Sequence, residues 1–284
     1  MPAEILDGRA LAAELRVDAR ARSDVLRARG IVPSLAVMLV GEDAPSLAYV
    51  KSLIKVGAGV GIEVALVEID AQSGVAQVRA RLDALGRDPA VHGVILQQPL
   101  PKHLDIRAIA DAVPPHKDVD GANPANAGRL AFGTESTFAP ATPAAVMLLL
   151  ARSSRRALRG VRACVVGRSS VVGLPVALLL LRESATVTVT HRGTADLAHH
   201  TRDAEVLIAA TGIPGMIGAG LVRPGATVID VGTTYVDGKI TGDVAYAEVA
   251  EIAREITPVP GGVGPVTNIA LMRNVLRAAE NGGA

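Results

Sequence analysis

Two glycines that follow an apolar run could form a phosphate-binding turn. Residues 163–166 lead into Gly167, and Gly173 follows after Arg168 and Ser169. In a strand–turn–helix unit, the first glycine lets the backbone turn and the second lets the helix pack closely on the strand. Free amides at the helix N-terminus can then hold a phosphate. The spacing is not GxGxxG, so a dinucleotide site and an ordinary turn between strand and helix both remain open.

The residues after the next apolar run indicate which dinucleotide would bind. Sites that prefer NAD usually place an Asp or Glu about 20 residues beyond the glycines, where it binds the ribose hydroxyls. Here that run ends in Thr190-His191-Arg192, with no acid. Arginine side chains suit a 2′-phosphate because they bind it bidentately, and Arg168 and Arg192 are both suitably placed. The sequence therefore favours NADP, although Arg192 could also be a solvated loop charge.

Three polar residues in the first half could bind a second ligand. Tyr49 lies in an amphipathic stretch, Gln97 ends an apolar run, and Asp120 lies in Lys117-Asp118-Val119-Asp120-Gly121. Each also has an ordinary structural explanation. Open α/β sheets bind ligands beyond the carboxyl ends of their strands, where such residues would lie. We find no Ser/His/Asp triad motif, no Walker motif and no metal-ligand spacing, so no metal is expected.

The elements that would position these residues alternate between strands and helices. Short Val/Ile/Leu runs separated by amphipathic stretches are typical of parallel βα units. The first half predicts strands at 35–40, 63–68 and 92–97 and helices at 46–59 and 74–85. The second half predicts strands at 162–166, 186–190, 206–210, 226–231 and 255–258. Further helices are expected at 142–153, bridging two lobes, and at 266–280.

The predicted fold class is α/β with two domains. Residues 1–138, joined by the C-terminal helix 266–284, would form a catalytic lobe that binds the second ligand. Residues 139–265 would form a Rossmann-like NADP-binding lobe. We expect ligands to bind in a cleft between the two lobes.

Composition excludes several other classes of protein. The net charge is +1, with two Phe, three Tyr and no Trp, so neither a polyanionic partner nor an aromatic nucleic-acid platform is indicated. Cys164 is the one cysteine, which excludes intramolecular disulfides. No signal-peptide core and no uncharged apolar run of membrane-spanning length is present. We expect a cytoplasmic protein that binds no nucleic acid and no membrane.

Motifs along the whole chain resemble those of the bifunctional methylene-tetrahydrofolate dehydrogenase/cyclohydrolase family in order and spacing. In the first half these are Leu6-Asp7-Gly8, Val40-Gly41 with Ser46 and Tyr49-Val50, Gln97 with Pro99-Leu100-Pro101, and Lys117-Asp118-Val119-Asp120-Gly121. In the second half they are Gly167-Arg168-Ser169 with Val172-Gly173 and Pro175, Val228-Ile229-Asp230-Val231-Gly232, and Thr257-Pro258 followed by Val259-Pro260-Gly261-Gly262-Val263-Gly264-Pro265.

The resemblance implies NADP-dependent oxidation of 5,10-methylene-tetrahydrofolate in one-carbon metabolism and purine biosynthesis. Asp120 matches the acid that holds the pterin, Tyr49 the aromatic that stacks on the substrate, and Gln97 the amide that positions the one-carbon unit. Further substrate contacts are implied for Pro260, Gly261 and Gly262. Cofactor contacts are implied for Gly167, Arg168, Ser169, Val172, Gly173, His191, Arg192, Thr211 and Gly232. The resemblance also implies a homodimer joined through the nucleotide-binding lobes.

One position departs from the family's catalytic pattern. The family's cyclohydrolase step uses a lysine four residues after the tyrosine, and that position is Leu53 here. Lys51 lies about 200° and Lys55 about 240° around a helix from Tyr49, at roughly 100° per residue, so neither replaces it. We therefore expect dehydrogenase activity with little or no cyclohydrolase activity. Two alternatives remain: a non-catalytic homologue that binds folate and NADP, and a Rossmann dehydrogenase for another substrate.

Overall fold

Helices and strands alternate along the chain as the sequence predicts. The structure, a computed structural model, describes residues 2–134 and 138–282. Within these residues the strands are β1 (Glu4–Ile5), β2 (Ser34–Val40), β3 (Glu63–Ile69), β4 (Gly93–Leu96), β5 (Arg162–Val166), β6 (Thr186–Thr190), β7 (Val206–Ala209), β8 (Thr227–Asp230), β9 (Thr234–Val236), β10 (Lys239–Thr241) and β11 (Glu255–Ile256).

The α-helices of the described residues lie between these strands. They are α1 (Gly8–Ala28), α2 (Ala44–Val60), α3 (Val75–Arg87), α4 (Pro124–Phe132), α5 (Ala141–Leu150), α6 (Gly173–Arg182), α7 (Leu197–Thr201), α8 (Tyr246–Val249) and α9 (Val263–Gly282). Short 3-10 helices lie at Ile106–Ala108, Ala110–Ala112 and Ala219–Leu221.

All eight predicted strands are confirmed, with ends that differ by at most two residues. Helix α1 was not predicted, although it is one of the longest elements. Its buried positions include the small residues Ala12, Ala19 and Ser23. Together with Leu11 and Leu26, these buried positions follow helical spacing, so the sequence did contain the pattern of this helix.

The chain divides into two compact units. Unit 1 contains the N-terminal segment through Ala13 together with Thr142–Thr267, and unit 2 contains Glu14–Ala141 and the residues from Asn268 onward. The predicted two-domain α/β fold is confirmed. The expected domain limits placed residues 1–13 with the first lobe, whereas β1 pairs in parallel with β11 of unit 1.

Unit 1 contains a six-stranded parallel sheet in the order β1-β11-β8-β7-β5-β6. Its core includes Cys164, Leu207, Val228 and Ile256, each at most 1% exposed. The chain leaves β5 toward β6 on one side and reaches β7 on the other. Ligands of doubly wound sheets bind at the carboxyl ends of strands where the order reverses in this way.

Unit 2 contains a three-stranded parallel sheet in the order β3-β2-β4. Strand β2 lies in the middle and is almost continuously buried, as expected of a parallel strand covered on both faces. The order again reverses between β2 and β4. The carboxyl ends of these two strands therefore define a candidate site.

Candidate functional site

Helix α2, which follows β2 in the chain, carries both Tyr49 and Leu53. The helix begins after Asp43, whose side chain accepts a hydrogen bond from the Ser46 amide at 2.9 Å, and it ends at Gly61 in the left-handed conformation. Its buried residues are Ser46, Val50, Leu53, Gly57 and Val60. This spacing marks the face of α2 that packs into unit 2.

Position 53 lies on that buried face and carries no charge. Leu53 is 0% exposed, whereas Lys51 and Lys55 are both exposed. The Ser52 hydroxyl accepts a hydrogen bond from Asn268 Nδ2 at 3.2 Å. The prediction that neither neighbouring lysine replaces the residue at position 53 is therefore consistent with their exposure.

Tyr49 and Asp120 influence each other electrostatically within unit 2. Burial, with a contribution from the Asp120 charge, raises the pKa of the Tyr49 phenol well above its ordinary value. Burial raises the pKa of the Asp120 carboxyl to about 7, opposed by a hydrogen bond from the Ala141 amide and reinforced by the charge of Asp118. That hydrogen bond is long, at 3.4 Å. Asp120 is therefore a carboxylate with unused acceptor capacity.

The neighbouring acid of the same motif has a structural role. Asp118 is 2% exposed and accepts hydrogen bonds from the amides of Ala122 and Asn123, both at 2.9 Å, and from Asn126 Nδ2 at 2.8 Å. Three donors of this kind fix the loop that carries Asp120. The structure thus separates the two acids of the motif into an anchor and a residue free to bind a ligand.

Gln97 follows β4 directly and reaches the same edge of the sheet as the start of α2. Its amide donates to the Met38 carbonyl on β2 at 2.8 Å, and its side-chain Nε2 donates to the Gln98 carbonyl at 2.6 Å. The same carbonyl accepts the Ser46 hydroxyl at 3.3 Å, and the Gln98–Pro99 peptide is cis. The Gln98 carbonyl thus links the Gln97 side chain to Ser46 at the start of α2.

Unit 1 contains a cavity at the reversal point of its sheet, which we call the nucleotide cavity. It measures about 290 Å³ and is lined by Val166, Gly167, Arg168, Ser169, His191, Arg192, Leu197, Ala210, Thr211, Ile213 and Met216. It therefore contains six of the nine residues expected to contact the cofactor; Val172, Gly173 and Gly232 do not line it.

The two glycines of the turn are required by close backbone approaches. Gly167 has a φ of +130°, and a Cβ built there would lie 2.1 Å from the Ala210 carbonyl oxygen. A Cβ on Gly173 would lie 2.1 Å from the Gly167 carbonyl oxygen. The Ser169 hydroxyl accepts a hydrogen bond from the Val172 amide at 3.1 Å. Val172 and Gly173 thus shape the turn and begin α6, behind the residues that line the cavity.

Two exposed arginines border the nucleotide cavity. Arg168 and Arg192 form no ion pair with any residue in the described part of the chain. The loop after β6 is held by the His191 amide, which donates to Thr194 Oγ1 at 3.0 Å, and by the Gly193 amide, which donates to His191 Nδ1 at 3.0 Å. This cavity can accommodate phosphate groups because it offers free guanidinium donors and a glycine turn.

Two buried acids organise the loops around the neighbouring strand ends. Asp230 accepts amide hydrogen bonds from Gly232, Asp243 and Val244 at 2.9–3.0 Å. Asp243, which is 0% exposed, accepts those of Thr211 at 2.6 Å and Gly212 at 3.0 Å. Burial raises the pKa of Asp230 to about 6. Asp243 was not predicted as a site residue from the sequence.

A second cavity in unit 1, the glycine-loop cavity, adjoins the start of α9. It measures about 170 Å³ and is lined by Arg9, Ile240 and residues 230–233 and 258–265. The predicted substrate residues Pro260, Gly261 and Gly262 and the predicted cofactor residue Gly232 lie here. Arg9 was not predicted as a site residue.

Two kinds of site are absent from the described residues. No group of three His, Cys, Asp or Glu side chains among them could hold a metal ion. No helix in the described ranges is long and apolar enough to cross a membrane.

Family models match both halves of the chain. The catalytic domain of tetrahydrofolate dehydrogenase/cyclohydrolase matches residues 6–120, and the NAD(P)-binding domain of the same family matches residues 140–282.

Individual proteins match over almost the whole length. The bifunctional protein FolD of Acidovorax ebreus is 47% identical over 281 residues, covering 99% of each chain. The bifunctional FolD structure from Campylobacter jejuni has a TM-score of 0.96 at 39% identity and covers 98% of this chain and 99% of its own. The Trypanosoma brucei methylenetetrahydrofolate dehydrogenase-cyclohydrolase, complexed with NADP and an inhibitor, has a TM-score of 0.93 at 36% identity, covering 99% of this chain and 98% of its own.

Proposed function

The chain belongs to the tetrahydrofolate dehydrogenase/cyclohydrolase family, and from this premise we propose how its residues oxidise 5,10-methylene-tetrahydrofolate with NADP. The observation that carries the proposal is the retention of both ligand-binding sets. Unit 2 has Gln97 directly after β4 and Asp120 close enough to Tyr49 for its charge to act on the phenol. Unit 1 has a nucleotide cavity with a glycine turn and two arginines that form no ion pair within the described residues.

Asp120 is the proposed anchor of the pterin. The pterin offers an amino group and a ring N–H, which one carboxylate can accept side by side. Asp120 has acceptor capacity to spare, because among the described residues the Ala141 amide, at 3.4 Å, is the one group that donates a hydrogen bond to it. We assign Tyr49 to stacking on the substrate and Gln97 to positioning the one-carbon unit. Pro260, Gly261 and Gly262 are proposed to cover the substrate.

The nucleotide cavity is the proposed NADP site. Gly167, Ser169 and the start of α6 with Val172 and Gly173 would hold the pyrophosphate. Arg168 and Arg192, with His191, would hold the 2′-phosphate, because guanidinium groups bind phosphate bidentately. Thr211 and Gly232 would border the nicotinamide end through loops held by Asp243 and Asp230.

The dehydrogenase step needs little acid–base chemistry from the protein. Bound NADP would supply the acceptor for a hydride that leaves the methylene bridge of the folate. The positive charge left on the methenyl carbon is shared by the two adjacent folate nitrogens. The residues assigned here therefore act mainly by orienting the folate. None of them places an ammonium group where it would repel the developing cation.

Hydrolysis of the methenyl product requires more acid–base chemistry from the protein than the dehydrogenase step does. Water must attack the cation and lose a proton, and a general acid–base group commonly contributes about 10²–10⁴-fold to such a step. Leu53 cannot transfer a proton, and the neighbouring Lys51 and Lys55 are solvent-exposed. We propose that this chain retains dehydrogenase activity and that its cyclohydrolase activity is strongly reduced or absent, whereas the names of its relatives describe them as bifunctional.

The alternative of a non-catalytic binding protein is not favoured. Its premise is that loss of the lysine also disables oxidation, yet every residue assigned to substrate orientation is retained. A dehydrogenase for another substrate is equally disfavoured, since Asp120 and the Pro-Gly-Gly-Val-Gly-Pro loop are present.

A homodimer joined through unit 1 is supported by two observations. Strand β6 ends the sheet order, so one of its edges has no strand partner among the described residues. Val171, Leu174 and Leu181, in or next to α6, are 47–53% exposed. Light scattering on the purified protein tests the dimer. The cytoplasmic location expected from the sequence also stays a prediction, which cell fractionation tests.

The function is tested with two absorbance assays on one preparation. We expect NADPH to form from methylene-tetrahydrofolate and NADP, and methenyl-tetrahydrofolate to disappear at close to the rate in buffer. No NADPH despite measurable binding of both ligands would support the non-catalytic alternative. Hydrolysis at the rate of a bifunctional relative would contradict the proposed role of Leu53.

A further inference from the structure

Unit 2 contains a large cavity beside the residues that precede β4, whereas Gln97 of the candidate site follows the same strand. The cavity measures about 700 Å³, against about 290 Å³ for the nucleotide cavity. Pockets of this size hold a whole small-molecule ligand. None of the residues assigned to folate or NADP is among its described lining residues. We call it the basic cavity, because its wall includes His92, His116, Lys117 and Arg129.

The wall of the basic cavity carries an excess of positive charge. Its described lining residues include no Asp or Glu. Arg129 forms no ion pair with any residue in the described ranges. Lys117 Nζ donates to the Asp88 carbonyl at 2.6 Å. The Asp88 carboxylate accepts the Ala90 amide at 2.8 Å, and it is not among the lining groups. The cations of the wall therefore lack a carboxylate within the cavity itself.

Hydrogen bonds to Ser34 fix which ring nitrogen of His92 can serve a ligand. The Ser34 hydroxyl donates to the Ala90 carbonyl, so its oxygen is left to accept. It accepts the His92 amide at 3.3 Å and lies 3.2 Å from His92 Nδ1. This arrangement keeps a proton on Nδ1 and leaves Nε2 without a hydrogen-bond partner among the described residues. Nε2 can therefore take up a second proton and donate it to an anion.

The two half-buried cations of the wall oppose each other's charge. Burial, together with the Lys117 charge, lowers the pKa of His92. Burial also lowers the pKa of Lys117, and the Asp88 charge opposes that shift. An anion beside both groups would raise both pKa values, because a nearby opposite charge favours the charged form. The positive charge of this wall is therefore better stabilised with an anion bound than without one.

The arrangement of the donors indicates which anion fits. A cation in the last turn of a helix is common, which alone could explain Arg129 at the end of α4. It does not explain His92, His116 and Lys117, which lie on other segments of the same wall. A terminal phosphate has three acceptor oxygens and a charge of about −1.5 to −2 at pH 7, so it can meet donors from several directions. A carboxylate offers two oxygens and one charge.

We propose that the basic cavity binds a small ligand with a di- or triphosphate chain, either inorganic or carried by a nucleotide. Arg129 and Lys117 contact its oxygens, and His92 Nε2 donates to a terminal phosphate. The cavity is larger than a single phosphate requires, which leaves room for the chain. All of its described lining residues belong to unit 2, so this site is separate from the nucleotide cavity of unit 1.

The test is calorimetric titration of tripolyphosphate into the full chain, in phosphate-free buffer with saturating NADP. NADP is present because it is proposed to occupy the nucleotide cavity. We expect one ligand per chain with a Kd below about 1 mM. Arg129→Gln and His92→Gln should each raise that Kd about tenfold, as expected for a lost charge-assisted hydrogen bond. NADPH formation by the two variants should match that of wild type.

Arg81→Gln is the matched control. It removes the same charge from an exposed arginine on α3 of the same unit, which forms no ion pair within the described residues, and it should leave the Kd unchanged. Arg192→Gln should also leave it unchanged. Absence of binding, equal losses in Arg81→Gln and Arg129→Gln, or a loss in Arg192→Gln alone would each overturn the proposal.

Two further titrations identify the ligand class. Metal-free ATP should bind at least as tightly as tripolyphosphate, and the Arg129→Gln variant should weaken both. Equal affinities would show that the phosphate chain alone is recognised, and tighter binding of ATP would show that the nucleoside adds contacts. Citrate, a carboxylate of comparable charge, should bind at least about tenfold more weakly. Citrate binding as tight as that of tripolyphosphate would contradict a phosphate site.

Discussion

Gly8 packs so closely against Gly262 that no side chain fits between them. A Cβ built on Gly8 would lie 1.7 Å from the Gly262 carbonyl oxygen and 2.5 Å from its carbonyl carbon. The Gly262 amide in turn donates to the Pro258 carbonyl at 2.8 Å. The Leu6-Asp7-Gly8 motif thus supports the Pro-Gly-Gly-Val-Gly-Pro loop, although about 250 residues separate the two in the sequence.

Replacing Gly8 with Ala should displace this loop. We expect a lower melting temperature, because overpacking commonly costs about 1–3 kcal/mol, and a raised KM for the folate. Gly59→Ala is the control: Gly59 lies inside α2 with nothing within 4 Å of an added Cβ. That change should stabilise the protein by roughly 0.5–1 kcal/mol. A Gly8→Ala variant as stable and active as Gly59→Ala would contradict the packing described.

Replacing Leu53 with Lys should restore hydrolysis of methenyl-tetrahydrofolate. We expect a rate at least about tenfold above wild type, since a positioned acid–base group contributes about 10²–10⁴-fold, with NADPH formation within a few-fold. The variant should also melt at a lower temperature, because position 53 is fully buried. Ile54→Lys adds the same charge at the adjacent, 39% exposed position and should leave hydrolysis unchanged. Equal hydrolysis rates in Leu53→Lys and Ile54→Lys would show that a lysine need not be at position 53 to support hydrolysis.

Folate binding should weaken as the pH falls through about 7. Burial raises the pKa of Asp120 to about 7, and only the ionised carboxylate accepts both pterin N–H groups. The pH profile of kcat/KM for the folate should therefore fall on the acid side. Asp120→Asn should lower kcat/KM about 10- to 100-fold, as expected for lost hydrogen bonds to a charged group. In this variant the fall of kcat/KM on the acid side of the pH profile should disappear. An unchanged fall would assign the titration to another group.

The same pKa shift predicts a change in stability of the ligand-free protein. The folded-state pKa of Asp120 is raised from 3.8 to about 7, so the native state holds this proton more tightly than the unfolded state. The stabilising contribution is complete below about pH 4 and is lost as the pH rises through about 7. Melting curves across this window should therefore fall more steeply for wild type than for Asp120→Asn, and parallel curves would contradict the shift.

Removing Arg192 should reduce the preference for NADP over NAD. We expect Arg192→Ala to raise KM for NADP about tenfold or more, since it removes a charge-assisted contact to the 2′-phosphate. The constants for NAD, which lacks that phosphate, should not change. Arg182→Ala removes the same charge from the exposed end of α6 and serves as the control. Similar losses with both dinucleotides would show that Arg192 supports the loop rather than the phosphate.

Replacing Asp243 with Asn tests whether this acid positions the loop at Thr211. The single oxygen Oδ2 accepts both the Thr211 and Gly212 amides, and the other oxygen, Oδ1, is buried without a hydrogen-bond partner among the described residues. An asparagine oxygen can replace Oδ2 but is a weaker acceptor than a carboxylate. We expect KM for NADP to rise several-fold while KM for the folate and kcat stay nearly constant. A lower melting temperature with unchanged kinetics would assign Asp243 a purely structural role.

The sequence by itself determined eight of the strands, the glycine turn, the preference for NADP that two arginines indicate and, through the family resemblance, the leucine at the lysine position. These features depend on local spacing, on residue type and on motifs that keep their order along the chain. The four-residue spacing of Tyr49 and Leu53 is one such local feature, because a helix places residues four apart on the same face.

Only the tertiary structure decided how residues distant in sequence act on one another. It made Asp118 an anchor and left Asp120 free, it placed Arg9 beside Gly261, and it linked Asp230 to Asp243. Hydrogen bonding, burial and close approach between separate segments decide such roles, and the identity of a residue does not encode them. For the same reason Gly8, which the sequence marks only as part of the Leu6-Asp7-Gly8 motif, proved to be a position where the backbone of a distant loop leaves no space for a methyl group.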